Sequence, residues 1–134
     1  MPSIIHTSQS GFIKGRSIVD HIRLIDDIIN FSGKKKSPGM IVSLDYQKAF
    51  DSIEKSSILS ALQKFNFGSN FIKLVSTLIN NTESCVQNGG WLSGFFDVER
   101  GIRQGCCVSP ILFIIVAEFM SIKIRNNDNI NGLN

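Results

Sequence analysis

Cysteine is scarce and unpatterned in this chain. Cys85, Cys106 and Cys107 are an odd count without paired-ligand spacing. That excludes a disulfide framework and a zinc site, and points to reduced thiols in an intracellular protein, nuclear or cytoplasmic alike. His6 and His21 have no second ligand at a metal-like spacing and read as ordinary polar residues. Long apolar runs are missing too. The longest, Ile111–Ala117, is broken by Glu118 and is far too short to span a bilayer. The N-terminus has no basic region followed by an apolar core, so neither a signal peptide nor a membrane partner is expected. Charge of one sign is also weak: 14 basic against 11 acidic residues leave a net +3. Such an excess permits a nucleic-acid partner without arguing for one, because a phosphate-binding surface shows more clustering.

What is present is enough for one domain. The sequence has 134 residues, 43% hydrophobic and 19% charged, a globular rather than a disordered composition. After an irregular start that includes Gly11–Gly15, Ile18, Ile22, Ile25 and Ile29 recur at helical spacing behind Ser17 and Asp20. They predict an amphipathic helix over Ser17–Phe31, stopped by Gly33. Lys34, Lys35 and Lys36 then form a solvated loop. Helices are expected over Glu54–Lys64, burying Ile58, Leu59 and Leu62, and over Asn70–Asn80, capped by Ser69 and burying Phe71, Leu74, Val75 and Leu78. Glu83–Asn88 and Phe95–Glu99 read as strands joined around Asn88-Gly89-Gly90, with Trp91 as a packing residue. The loop Arg100–Pro110 runs into Ser109-Pro110, a cap followed by a first helical position, and a buried helix from Ile111 to about Arg125. A polar tail follows. No internal repeat or domain linker is visible, and the fold class is α+β.

The chain is organised around Met40–Asp51, MIVSLDYQKAFD. An apolar run behind the Pro38-Gly39 turn predicts a buried strand, Met40–Tyr46. A carboxylate is costly inside a core unless paired or bound to a cation, which puts Asp45 at the strand's exposed tip. Such a tip can present a metal-binding carboxylate. An Asp between strand and helix is also a common turn or cap residue, and this stretch alone favours that plainer reading.

Three blocks change the balance: QSGFIKGRS (Gln9–Ser17), LDYQKAFD (Leu44–Asp51) and RGIRQGCCVSPILF (Arg100–Phe113). In this order they closely resemble the reverse transcriptase domain of non-LTR, LINE-type retrotransposons, and more distantly that of group II introns. The middle block looks like the family's polymerase motif A, and the last like its motif B. The resemblance covers essentially the whole chain. It implies a partial palm-and-fingers polymerase fold, helix-rich, with a central palm strand and a β-hairpin. It also implies copying of an RNA template from a DNA primer with deoxynucleoside triphosphates. In the family, a primer 3′-hydroxyl attacks the α-phosphate between two Mg²⁺ ions held by oxygen ligands.

By that resemblance Asp45 matches the first catalytic metal ligand, and the Tyr46 carbonyl a further one. Phe50 matches the ring that lies under the incoming sugar and selects deoxynucleotides; it reads equally as a core anchor. Gln104 and Gly105 match the pair against the incoming nucleotide and templating base, with Arg103 as a phosphate or template contact. Gly11, Phe12, Gly15 and Arg16 match a fingers-side element in which Lys14 and Arg16 would touch the template backbone. Asp51 also matches, but as a cap or hydrogen-bond group at the next helix start.

The family's further catalytic aspartates, in an aromatic-Ala-Asp-Asp hairpin, have no counterpart after Phe113: Asp26-Asp27 lies upstream and Asp128 is alone. The upstream fingers segment, the thumb and an endonuclease domain are likewise unmatched. The expectation is therefore a partial reverse transcriptase domain over 1–134, with the remaining polymerase segments as its partners and little activity of its own. Its alternatives are a non-catalytic RNA or RNA–DNA binding remnant and a functionless pseudogene product.

Overall fold

The isoleucine spacing behind Ser17 forms a helix, α1, over Ile18–Lys35 in the computed structural model, which describes residues 4–36, 38–130 and 132. Ser17 is extended, at φ −121°, and its hydroxyl accepts the Val19 N–H. The helix does not stop at Gly33. It runs on to Lys35 and ends on Lys36 in the left-handed region, φ 50°, whose N–H bonds the Gly33 and Ser32 carbonyls. An interior glycine costs only about 1 kcal/mol relative to alanine, and lysines in the last turn favour the negative end of the helix dipole. The apolar face predicted for α1 is real, but no residue of the helix is buried.

The chain forms two compact units. The first comprises Met1–Tyr46 and Ala117–Asn134. Its N-terminal loop buries Ile5, Ser10 and Ile13. The Ser10 hydroxyl lies 2.9 Å from His21 Nδ1, which ties the loop to α1. The predicted strand Met40–Tyr46 is not formed: these residues carry no ladder, and Met40 is 85% exposed. β-branched residues favour a pleated backbone only where a neighbour takes the hydrogen bonds and covers the side chains. Among the described residues no segment does so. The expected central palm strand is therefore absent.

The second unit is Gln47–Val116. A single turn, α2 (Ala49–Ser52), precedes α3 (Lys55–Lys64) and α4 (Ser69–Ile79). Ile58, Ala61 and Leu62 of α3 pack with Val75 and Ile79 of α4 as the core. Leu59 is half-buried. The buried stripe of α4 is narrower than predicted: Phe71, Leu74 and Leu78 remain exposed. One partner helix covers one stripe, and Phe71 instead stacks on Phe67 at 5.3 Å. Gly68, not Ser69, is the N-cap of α4.

The two predicted strands are each split. Glu83–Ser84 (β1) pairs antiparallel with Phe96–Asp97 (β4), and Gln87–Asn88 (β2) with Trp91–Leu92 (β3). Gly89 and Gly90, at φ +55° and +87°, make the tight turn that the sequence predicts. Trp91 is 83% exposed on the returning arm, so it is not the packing residue expected. Its side chain projects from a two-stranded ribbon with nothing over it among the described residues.

Helix α5 (Ser109–Arg125) buries Leu112, Ile114 and Ile115, as its apolar composition predicts. It starts at Ser109 itself, whose hydroxyl donates to the Arg103 carbonyl at 2.7 Å. In the first unit its Glu118 is buried and pairs with Arg125. No helix among the described residues is long and apolar enough to cross a membrane.

Candidate nucleotide-binding junction

In the second unit the end of the LDYQKAFD block is sewn to the start of the RGIRQG block. The Gly101 N–H bonds the Ile53 carbonyl and the Ile102 N–H bonds the Phe50 carbonyl, both at 2.8 Å. Glu54 and Arg100 form an antiparallel bridge, and their side chains approach to 3.7 Å. That ion pair is exposed and contributes little. The backbone contacts are the stronger constraint. Gly101 sits at φ +89°, and a Cβ there would meet Asp51 Cα and the Phe50 carbonyl oxygen at 2.9 Å. Only glycine admits both the dihedral and the approach.

This junction brings sequence-predicted residues together. The Gln104 Nε2 donates to both oxygens of Asp51, at 3.2 and 3.4 Å. Asp51 lies within α2 and does not cap the next helix, whose N-cap is Glu54. Phe50 stacks on Phe113 with 5.4 Å between ring centres, so its ring is backed by α5. Asp51, Arg100, Arg103, Gln104, Cys106 and Ser109 line a cavity of about 400 Å³. The Cys106 thiol is held below its ordinary range, chiefly by the Val108 N–H. Burial opposes this, while the Ser109 N–H and hydroxyl and the Arg103 charge assist it. Gly105 is at φ +82° with open space where a Cβ would stand, so its dihedral alone demands glycine.

The remaining predicted residues lie in the first unit. Asp45 is exposed at the end of the unladdered segment, and the Tyr46 hydroxyl donates to Met120 Sδ at 2.9 Å. Among the described residues no group of three or more His, Cys, Asp or Glu side chains could hold a metal ion. Lys14 is exposed. Arg16 is engaged by its own loop: its guanidinium donates to the His6 and Gln9 carbonyls at 2.6 Å and to the Ile5 carbonyl at 3.2 Å. Sequence reasoning missed the roles of Gly101 and Arg16. The Arg100-Gly101 dipeptide inside a matched block was the available signal for the first; the second had none, because its acceptors are backbone carbonyls.

Residues 1–131 match the family model described as reverse transcriptase (RNA-dependent DNA polymerase). The chain is 31% identical to the 149 kDa protein of transposon TX1 from Xenopus laevis, over 88% of this chain and 9% of that protein. It is also 31% identical to the Pol polyprotein of retrotransposable element R2DM from Drosophila melanogaster, over 82% of this chain and 10% of that one. An R2 Pol polyprotein from Popillia japonica is 26% identical over 96% of this chain and 18% of its own length. The chain thus spans 9 to 18% of these curated relatives. No solved structure matches.

Proposed function

Because the chain belongs to the reverse transcriptase (RNA-dependent DNA polymerase) family, of the non-LTR retrotransposon kind, we propose that it is the section of the polymerase domain that receives the nucleotide. In this reading it has the partial palm-and-fingers fold. The observation that carries it is the junction in the second unit, where the two most family-like blocks share backbone hydrogen bonds, a cavity and the Asp51–Gln104 contact. Family membership implies a nucleic-acid template and nucleotide substrates.

Within the reading, each residue has a role set by its chemistry. Phe50, backed by Phe113, is a rigid wall beneath a sugar. Gln104 and Gly105 lie against the nucleotide, and Arg103 supplies positive charge for a phosphate. Lys14 is a template-backbone contact, being an exposed cation on a loop held by buried Ile5 and Ile13. Arg16 holds the backbone of that loop, so any template contact it makes comes second to that. Asp45 and the Tyr46 carbonyl offer oxygen donors of the type Mg²⁺ prefers. They do not make a metal site by themselves, since a divalent ion needs more donors than the described residues gather. No step of the chemistry is therefore assigned to a metal held by this chain.

Primer extension on an RNA template with Mg²⁺ tests the reading. The expected result is no templated product from this chain alone, with salt-sensitive retention of the template–primer hybrid. Templated synthesis that Asp45→Ala abolishes would overturn the first expectation. Failure to bind the hybrid at low salt would overturn the reading itself.

A further inference from the structure

We propose that Asp51 is a positioning residue that fixes the direction of the Gln104 carboxamide, so that Gln104 offers an acceptor oxygen to a donor group on a bound nucleotide. The inference rests on the nucleotide-binding reading above and deepens it.

A glutamine carboxamide can turn over and exchange its oxygen for its nitrogen, so its position alone does not say whether it gives or takes a hydrogen bond. A carboxylate removes that freedom, because its oxygens accept only. With the amide oxygen turned to Asp51, three acceptor oxygens would crowd one another. With the nitrogen turned to it, both Asp51 oxygens are served, at 3.2 and 3.4 Å. Oε1 is then turned away from Asp51, free to accept from a ligand. Sugar hydroxyls and exocyclic amines of bases are donors, whereas phosphate oxygens are acceptors. Gln104 is thereby assigned to the nucleoside part of the substrate, and Arg103 to its phosphates.

The pair is useful only if neither backbone drifts. Asp51 is clamped by the approach of Gly101 and by the bonds from Gly101 to Ile53 and from Ile102 to Phe50. On the other side, the Ser109 hydroxyl holds the Arg103 carbonyl at 2.7 Å, one residue before Gln104. Both side chains also line the same cavity. Asp51 and Gln104 are both exposed, so this backbone framing rather than burial holds the pair in place.

The test uses the whole chain and three variants. Asp51→Ala removes every acceptor and substitutes a strong helix former at an exposed position of α2, so the fold persists. Asp51→Asn keeps one acceptor oxygen. Asp51→Asn with Gln104→Glu exchanges donor and acceptor. The first readout is the Gln104 side-chain amide signals in nitrogen-proton NMR. They are expected to move to the position of a solvated glutamine in Asp51→Ala and to stay in Asp51→Asn. The second is titration with dTTP and Mg²⁺. Asp51→Ala is expected to weaken binding about five- to tenfold, the loss of one hydrogen bond. Asp51→Asn should recover it, and so should the exchanged pair, whose net charge is that of wild type and whose Glu still offers a free acceptor oxygen. Unchanged Gln104 signals in Asp51→Ala overturn the proposal, as does unchanged dTTP affinity. A wild-type chain that ignores dTTP counts against the nucleotide-binding reading, while the amide signals still decide whether Asp51 holds Gln104.

Discussion

At the scale of single residues, the most constrained position is one without a side chain. Gly101 combines a left-handed dihedral with backbone atoms at 2.9 Å from where a Cβ would stand. Alanine there meets both a conformational cost of about 1–2 kcal/mol and a clash that only movement of Phe50 and Asp51 relieves. Gly101→Ala is expected to destabilise the chain by about 2–4 kcal/mol in denaturant unfolding. Gly105→Ala carries the same dihedral with open space around it, and should cost only about 1–2 kcal/mol. Equal losses would mean that the close approach at Gly101 contributes nothing. The contrast matters because Gly101 sets the distance between Asp51 and the loop that carries Gln104. Loss of stability and loss of nucleotide affinity should therefore travel together at Gly101 and separate at Asp51.

At the scale of elements, legibility followed locality. The helices were readable because their signals lie within a few residues: Ser17 ahead of the isoleucine series, apolar pairs at helical spacing in α3 and α4, and the apolar start of α5. The glycine turn between β2 and β3 was readable for the same reason. What failed depended on partners. Leu74 and Leu78 have the right spacing but no covering surface. The run Met40–Tyr46 has strand composition but no ladder. At the site, Asp51, Gln104 and Phe50 were legible as family positions, but the contacts of Asp51 with Gln104 and of Phe50 with Phe113 join residues far apart in sequence and leave no local trace. The unladdered segment gives a direct prediction. Proline inside a strand removes a ladder hydrogen bond, and Val42 has none to lose. Val42→Pro is expected to leave the thermal midpoint of this chain within about 2 °C of wild type, since surface changes away from such features stay within about 0.5 kcal/mol. Ala61→Pro, in the buried stripe of α3, should cost about 3 kcal/mol or more. A large loss from Val42→Pro would mean that the segment is laddered in solution.

At the scale of the whole molecule, the net charge of +3 limits how tightly the chain can hold a polyanion. Long-range attraction is modest, so binding to a template–primer hybrid should be weak and should fall with added salt, because the counterions that binding releases then gain less entropy. The number of contacts is readable from the slope of log affinity against log salt, at roughly 0.7–0.9 per phosphate. Lys14 and Arg16 make the slope informative, because they carry equal charge in one loop and are differently employed. Lys14 is exposed, whereas Arg16 spends its guanidinium on the Ile5, His6 and Gln9 carbonyls. Lys14→Gln is expected to lower the slope by about one contact and leave the fold intact. Arg16→Lys keeps the charge but loses the forked geometry that a lysine cannot reproduce. It should leave the slope nearly unchanged while lowering the hydrogen-exchange protection of the Gln9 and Ile13 amides, which bond the His6 and Ser10 carbonyls. If Arg16→Lys instead keeps that protection and Arg16→Gln lowers the slope as much as Lys14→Gln does, the guanidinium faces phosphate rather than its own backbone. The loop would then grip the template with two charges, and its shape would have to be held by the buried Ile5, Ser10 and Ile13 alone.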